Sequence, residues 1–292
     1  FFELKKFNEA LQNFYQSYKI NSKLNYLVSS IIDTKHRLCE WNSFDKDLLH
    51  LENLILNEKK IIYPFLSLSF YESPQMQKTS AEIFVKEEFD VQNNQNYKFH
   101  KQAKKKIRIA YYSADFRNHA MSYLLANLYE LHDKNKFEII GISFGPDKDD
   151  KMRKRVSNAF DEFYDLRLKT EDEIVKFSRE LKIDIAIDLM CFTKYHKFGI
   201  FVKRCAPIQV NYLGYPGTSG ANNLDYIIAD KIIIPKESQK YYSEKIVYLP
   251  NTYQANDSTK KISDKVFTRQ ELGLPKDGFV FCCFNNDYKI TP

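Results

Sequence analysis

The stretch KIRIAYYSADFRNH, residues 106–119, begins as a largely apolar run that reads as a strand and ends in a polar turn. Behind it Met121, Leu124, Leu128 and Leu131 step by three and four, the spacing of one helix face. Strand, polar turn, helix is the opening of a parallel α/β unit, and the same order returns along the chain. Runs at 106–112, 137–144, 184–190, 207–213, 225–230, 245–250 and 278–285 read as strands. Most are continuous rather than alternating, as expected when helices cover both faces of a parallel sheet. Thr170-x-x-Glu173 and Thr268-x-x-Glu271 are capping boxes that start helices. Ile174, Phe177 and Leu181 give the first an inward stripe, and Gly273 with Pro275 ends the second. The expected fold is α/β, a doubly wound, Rossmann-like parallel sheet.

Upstream the period changes. Residues 1–88 read as helical. Phe44, Leu48, Leu51 and Ile55 form one stripe behind Ser43 as N-cap, and Ser73-Pro74 starts another helix. Ala10, Phe14, Ser17 and Ser22 reproduce the spacing of the second helix of a tetratricopeptide repeat. The sheet is therefore expected to follow an α-helical region of tetratricopeptide type, across a lysine-rich linker at 90–106 whose charges read as solvated.

With 292 residues, 43% of them hydrophobic, the chain can bury a core. Its 44 Lys and Arg stand against 38 Asp and Glu, too mixed a balance to point to nucleic acid. Cys39, Cys191, Cys205, Cys282 and Cys283 form no CxxC pair and no zinc spacing, so no metal is expected and a reduced, cytoplasmic setting is. No run is long enough to span a bilayer, and no membrane partner is expected. The chain opens on Phe1 and stops at Pro292 in mid-pattern, so it reads as a piece of a longer protein.

In such sheets ligands bind beyond the carboxyl ends of the strands. The segments found there are Ser113–His119, Met190–Lys194, the glycine-rich NYLGYPGTSG at 211–220, and Asn285–Lys289. Three of the eight glycines (Gly214, Gly217, Gly220) fall within that one loop. It is either a tight strand exit or a backbone that must approach a ligand. Asp115, Arg117, Asn118 and His119 precede a helix N-terminus, which favours an anion; Asp115 and His119 are equally readable as turn and helix-start residues. GxGxxG, P-loop, GxSxG and HExxH signatures are all missing, which argues against nicotinamide, hydrolase and zinc-protease sites.

LCEWNSFD (38–45), PFLSL (64–68), IRIAYYSADFRNH (107–119), APIQVNYLGYPGTSG (206–220), DYIIAD (225–230), YSEKIVYLPNTY (242–253) and CFNNDYKITP (283–292) together resemble the intracellular protein O-glycosyltransferases. That family comprises O-GlcNAc transferase, the plant SPINDLY O-fucosyltransferase and bacterial members. The resemblance implies two Rossmann-like halves with the active site between them (a GT-B arrangement). It assigns 1–34 to the end of the helical repeats, 35–105 to a helical linker region and 106–258 to the N-terminal catalytic half. Residues 259–292 would be a connector and the first strand of the C-terminal half. The implied reaction is inverting and metal-independent transfer of a sugar, GlcNAc foremost, from a nucleotide diphosphate such as UDP-GlcNAc to protein Ser or Thr. No cofactor is implied, the partners are the nucleotide sugar and peptide acceptors, and this piece alone is expected to be inactive. By the same resemblance Asp115, His119, Tyr288 and Lys289 are catalytic, Leu213, Gly214 and Lys289 hold the donor, and Asn118 and Lys194 lie toward the acceptor. Side chains at Leu213–Gly214 would occupy the space of the sugar, and the turns at Asp115–His119, Gly214–Gly220 and Asn285–Lys289 are expected to converge on one cleft. This sequence departs from the family at Phe65, where animal members have a histidine. It also departs at Ala120-Met121, which replaces Pro-Thr, and at Cys191, where glycine is usual. An O-fucosyltransferase of SPINDLY type and a non-catalytic helical-repeat protein are the alternatives.

Overall fold

The computed structural model describes residues 1–57, 60–89, 99, 105–146 and 148–292, so nearly all of the lysine-rich linker lies outside the described residues. Five helices come first: α1 (Phe7–Ile20), α2 (Leu27–Arg37), α3 (Phe44–Leu56), α4 (Pro64–Phe70) and α5 (Pro74–Glu88). Val28 and Ile32 of α2, Leu51 and Ile55 of α3, Phe70 of α4 and Met76 of α5 make the common core of α2–α5. Ser73 caps α5 as read, its Oγ accepting the Met76 N–H at 3.4 Å. Ser43 does not cap α3. Its hydroxyl donates to Asp47 at 2.8 Å and receives the Lys35 ammonium, a stronger, charge-assisted partner than the helix N–H groups.

The sheet follows, with its helices between strands: β1 (Ile107–Ser113), α6 (Ala120–Glu130), β2 (Phe137–Ser143), α7 (Lys151–Ala159), β3 (Glu162–Asp165), α8 (Glu171–Glu180), β4 (Ile185–Asp188), α9 (Gly199–Val202), β5 (Ile208–Tyr212), β6 (Tyr226–Ala229) and β7 (Lys245–Tyr248). All seven strands are parallel, in the order β3-β2-β1-β4-β5-β6-β7. Both faces are covered, which explains the unbroken apolar runs. Ala110, Tyr112, Ile140, Ile142 and Ala186 pack on one side with Ile174 and Val175 of α8, Phe201 of α9 and Phe84 of α5. Ile109, Tyr111, Ile139 and Ile187 pack on the other with Leu125 and Tyr129 of α6 and Val156 of α7. The Thr170 capping box closes in both directions, through the Glu173 N–H and the Glu173 carboxylate.

Two expected elements do not form. Residues 278–285 are not a strand: the segment is irregular, and Phe279, Phe281 and Phe284 stand 81%, 89% and 97% exposed. A strand needs a neighbour for its backbone groups, and no described strand lies beside this one. Thr268–Gly273 makes only turns, although Thr268 and Glu271 exchange their capping bonds at 3.2 and 2.7 Å. Caps select where a helix starts but do not sustain one with no buried face.

β5 and β6 are parallel neighbours, yet the connection between them, 213–225, contains no helix. The glycine-rich loop is itself the crossover. It must therefore do what a crossover helix does, which is cover the sheet. Tyr215, Ala221 and Leu224 enter the same apolar core as Tyr112 and Phe201.

Candidate functional site

The loop after β5 is fastened from behind. Asn211 Nδ2 donates to the carbonyls of Tyr215 and Gly217 at 3.1 and 3.4 Å. Buried Glu244 accepts from Thr218 Oγ1 and from the Ser219 N–H, both at 2.7 Å. Burial pushes the Glu244 carboxyl up and these donors pull it back.

The glycines answer to this packing. Gly214 does not have a positive φ. A Cβ there would lie 1.9 Å from the Leu189 carbonyl oxygen, so the contact that forbids a side chain is with the chain itself. At Gly217 the obstacle is the Tyr215 ring, at 2.8 Å. Gly220 has φ +66° and sits against the backbone of α5, where a Cβ would lie 2.6 Å from Glu82 N. The residue in the left-handed region beside Gly214 is Leu213, at φ 67°. Cys191, in the loop after β4, has φ 45°, a conformation that costs a non-glycine residue.

On the outer side of this loop lies a cavity of about 480 Å³ lined by Gly214, Pro216, Phe65, Leu68, Ser69, Tyr288, Lys289 and Thr291. The short 3₁₀ turn Asp287–Lys289 forms its far wall. That turn is held by α2: His36 Nε2 donates to the Ile290 carbonyl, and the Arg37 guanidinium lies 5.5 Å from the Tyr288 ring centre. Phe65 fills the space between, its ring centre 6.1 Å from that of Tyr288 and 6.5 Å from that of Tyr215. A close-packed backbone, a cluster of aromatics and an exposed lysine thus face one another, a combination suited to an anionic ligand with a flat or apolar part.

Lys194 lies in a neighbouring cavity of about 470 Å³ with Arg37, Asn285, Asn286 and Tyr288, where its ammonium pairs with Glu3. Tyr288 borders both cavities.

The turn after β1 is a separate cluster. Asp115 Oδ1 accepts from Arg117 at 2.9 Å, and Oδ2 stands 3.5 Å from His119 Nδ1. His119 is the N-cap of α6, its Nδ1 accepting the Met121 N–H at 3.3 Å. One nitrogen cannot accept from Met121 and donate to Asp115 at once. Burial raises the Asp115 pKa against the pull of His119 and Arg117. Burial also lowers that of His119, so both side chains are driven toward their neutral forms. The exposed Asn118 donates its backbone N–H to Asp150 at 2.8 Å.

Of the residues expected to act together, Gly214, Tyr288 and Lys289 share one cavity and Leu213 adjoins it. Asp115, Asn118 and His119 sit on the same carboxyl edge, at the end of β1, which β4 separates from β5. They do not line this cavity. Sequence reading overlooked Asp188 and Glu244. Asp188 was one letter in an apolar run, though it continues the inward alternation of Ala186. Among the described residues no group of three or more His, Cys, Asp or Glu is placed to hold a metal ion. No helix among them is long and apolar enough to cross a membrane.

The sequence profile of glycosyl transferase family 41 matches residues 38–265. The chain is 36% identical over 193 residues to SEC of Arabidopsis thaliana, a probable UDP-N-acetylglucosamine–peptide N-acetylglucosaminyltransferase, covering 64% of this chain and 20% of that protein. It is 27% identical over 283 residues to the UDP-N-acetylglucosamine–peptide N-acetylglucosaminyltransferase of Caenorhabditis elegans, covering 87% and 24%. With SPINDLY of Arabidopsis thaliana it shares 32% identity over 196 residues, covering 66% and 21%. The chain therefore spans about a fifth to a quarter of the length of these curated relatives. Among solved structures, a mutant O-GlcNAc transferase of Thermobaculum terrenum shares the fold, with a TM-score of 0.66 and 20% identity over 86% of this chain and 49% of that one.

Proposed function

This chain belongs to glycosyl transferase family 41, and from that premise we propose that it forms one side of the donor site of a protein O-glycosyltransferase. The observation that carries the reading is the cavity in which Lys289 faces the close-packed Gly214 backbone. The donor is a nucleotide diphosphate sugar, GlcNAc foremost, and the acceptor a Ser or Thr hydroxyl of a protein. In the reaction the hydroxyl oxygen attacks the anomeric carbon from the side opposite the diphosphate. The bond to the leaving phosphate oxygen breaks, its electron pair stays with the diphosphate, and the hydroxyl proton passes to a base. Lys289 meets the charge that grows on the leaving group. Tyr288 and Leu213–Gly214 bound the sugar. Asp115 is the candidate base: in its ionised form a carboxylate with a raised pKa is a better proton acceptor than an ordinary one, Arg117 orients it, and His119 stands beside it at the start of α6. Asn118 and Lys194 lie on the acceptor side. The chemistry of this proposal uses protein groups alone, with no metal.

The test is to incubate the complete protein with UDP-GlcNAc, GDP-fucose and other nucleotide sugars and to identify modified acceptors by mass spectrometry. Transfer of GlcNAc to Ser or Thr supports the reading. Transfer of fucose instead would keep the site and change the sugar. No transfer from any donor, by a protein that still binds nucleotide sugar, would overturn it.

A further inference from the structure

β4 and β5 end side by side, and Asp188 and Asn211 are register partners on the same face of the sheet, with Tyr112 next to Asp188 on β1. Both are buried, at 1% and 0% exposed. The Asn211 amide is oriented by its own bonds, because turning it over would set its oxygen against the carbonyls of Tyr215 and Gly217. Its Oδ1 has no donor. Asp188 has the matching deficit: Oδ1 accepts the N–H groups of Met190 and Cys191 at 2.8 and 3.0 Å, while Oδ2 accepts from nothing. The other groups facing Asp188 supply no cation. They are the buried thiols of Cys191 on its own loop and Cys205 ahead of β5, and the Tyr112 phenol, which donates to Ser178; from beyond, Glu244 acts on Cys191 and Arg179, whose guanidinium donates to the carbonyls of Lys203 and Arg204, acts on Cys205.

Asp230, just after β6, gives the contrast. Its Oδ1 likewise accepts two N–H groups of the following turn, from Ile232 and Ile233, but its Oδ2 also accepts the Tyr253 N–H at 2.9 Å. With every acceptor served, its carboxyl is held below the usual range. Two buried acceptors side by side with no donor between them carry a penalty that a single proton removes.

We propose that Asp188 is a neutral carboxylic acid in the folded chain, that its Oδ2 proton is donated to Asn211 Oδ1, and that this bond holds the loop after β4 against the loop after β5. Asp188 thereby positions the Leu189 carbonyl on which Gly214 rests, and with it one wall of the cavity. Burial pushes the Asp188 carboxyl up to about 7, so it holds its proton at mildly acid pH and gives it up around neutrality. Its folded pKa lies above that of the unfolded chain, so the contribution to stability is full below about pH 4 and is lost as pH rises toward the folded value.

The inference rests on β4 and β5 and not on sugar transfer, so its failure and that of the proposed reaction are separable. The experiment uses the full chain and Asp188→Asn, which keeps an acceptor for Met190 and Cys191 and supplies a permanent donor to Asn211. Infrared difference spectra at mildly acid pH are expected to show a protonated-carboxyl band in the parent that the variant lacks. In melting curves the variant should gain on the parent as pH rises from about 5 to 7, by up to about tenfold in the folding equilibrium per pH unit, and then level off. Hydrogen exchange of peptides covering 211–217, corrected for its intrinsic pH dependence, should quicken toward high pH in the parent only. An absent acid band, as an ionised Asp188 bridged by water would give, overturns the proposal. So does a variant whose melting and loop exchange follow the parent at every pH.

Discussion

The turns that leave β1 and β5 look alike in sequence, each polar and each at the carboxyl edge, but they are built on opposite plans. After β1 the side chains carry the structure: Asp115, Arg117 and His119 engage one another and the start of α6. After β5 the backbone carries it: three glycines rest on a carbonyl, a ring and a helix, and the polar partners stand behind the loop. The first plan leaves titratable groups whose state depends on each other. The second leaves a bare main-chain surface facing Lys289. Under the proposed reaction such a site would divide proton handling from charge stabilisation, and each could be disturbed alone.

The largest expected effect comes from the cavity side. In the complete protein Lys289→Ala should lower kcat by about 10²–10³-fold, as loss of one charge-stabilising group does elsewhere, with unchanged melting because Lys289 is exposed. A near-normal rate removes Lys289 from the chemistry. Asp115→Asn should cost on the order of 10²-fold and move the acid limb of the pH–rate profile. If rate and profile both stay as they were, the turn after β1 handles no proton. Gly214→Ala tests the backbone plan: a Cβ 1.9 Å from the Leu189 oxygen must displace main chain, for a loss of about 1–3 kcal/mol in stability read by denaturant titration. The same substitution at Gly273, where a Cβ meets nothing but φ is +65°, carries only the conformational penalty. The smallest effect is at His119. Burial holds its pKa below the usual value, so its share of stability is present above about pH 6.5 and lost as pH falls below that. His119→Asn keeps a cap for Met121 and should gain slightly on the parent in melting temperature between pH 7 and 5. A constant offset would show that the imidazole does not titrate in that window.

The sheet was largely legible because its signal is local: β1, β2 and β4 are mostly apolar runs, β5 alternates apolar and polar residues, and the Thr170 box marks α8 from four residues. β3 escaped because Glu162-Phe-Tyr-Asp165 is a short edge strand with no apolar run. The opposite error, at 278–285, has the same root. Phe279, Val280 and Phe281 have strand character, but pairing is a property of a neighbour and not of a sequence. The glycine loop shows how far such reading reaches. Its composition announced a close approach, yet only coordinates tell that Gly214 approaches the Leu189 carbonyl. Asp188 was hidden for a related reason, since one acidic letter in an apolar run looks like an interruption until its neighbours are known.

The helix-free passage from β5 to β6 has one more consequence. Its inner side seals the sheet through Tyr215 and Leu224 while its outer side borders the cavity. Under the proposed function, ligand preference and assembly of the β6–β7 edge would thus be written into the same dozen residues. A substitution that alters this wall would then also test whether the strands beyond it still join, whereas one at Phe65 or in the 287–291 turn would reach the cavity from outside the crossover.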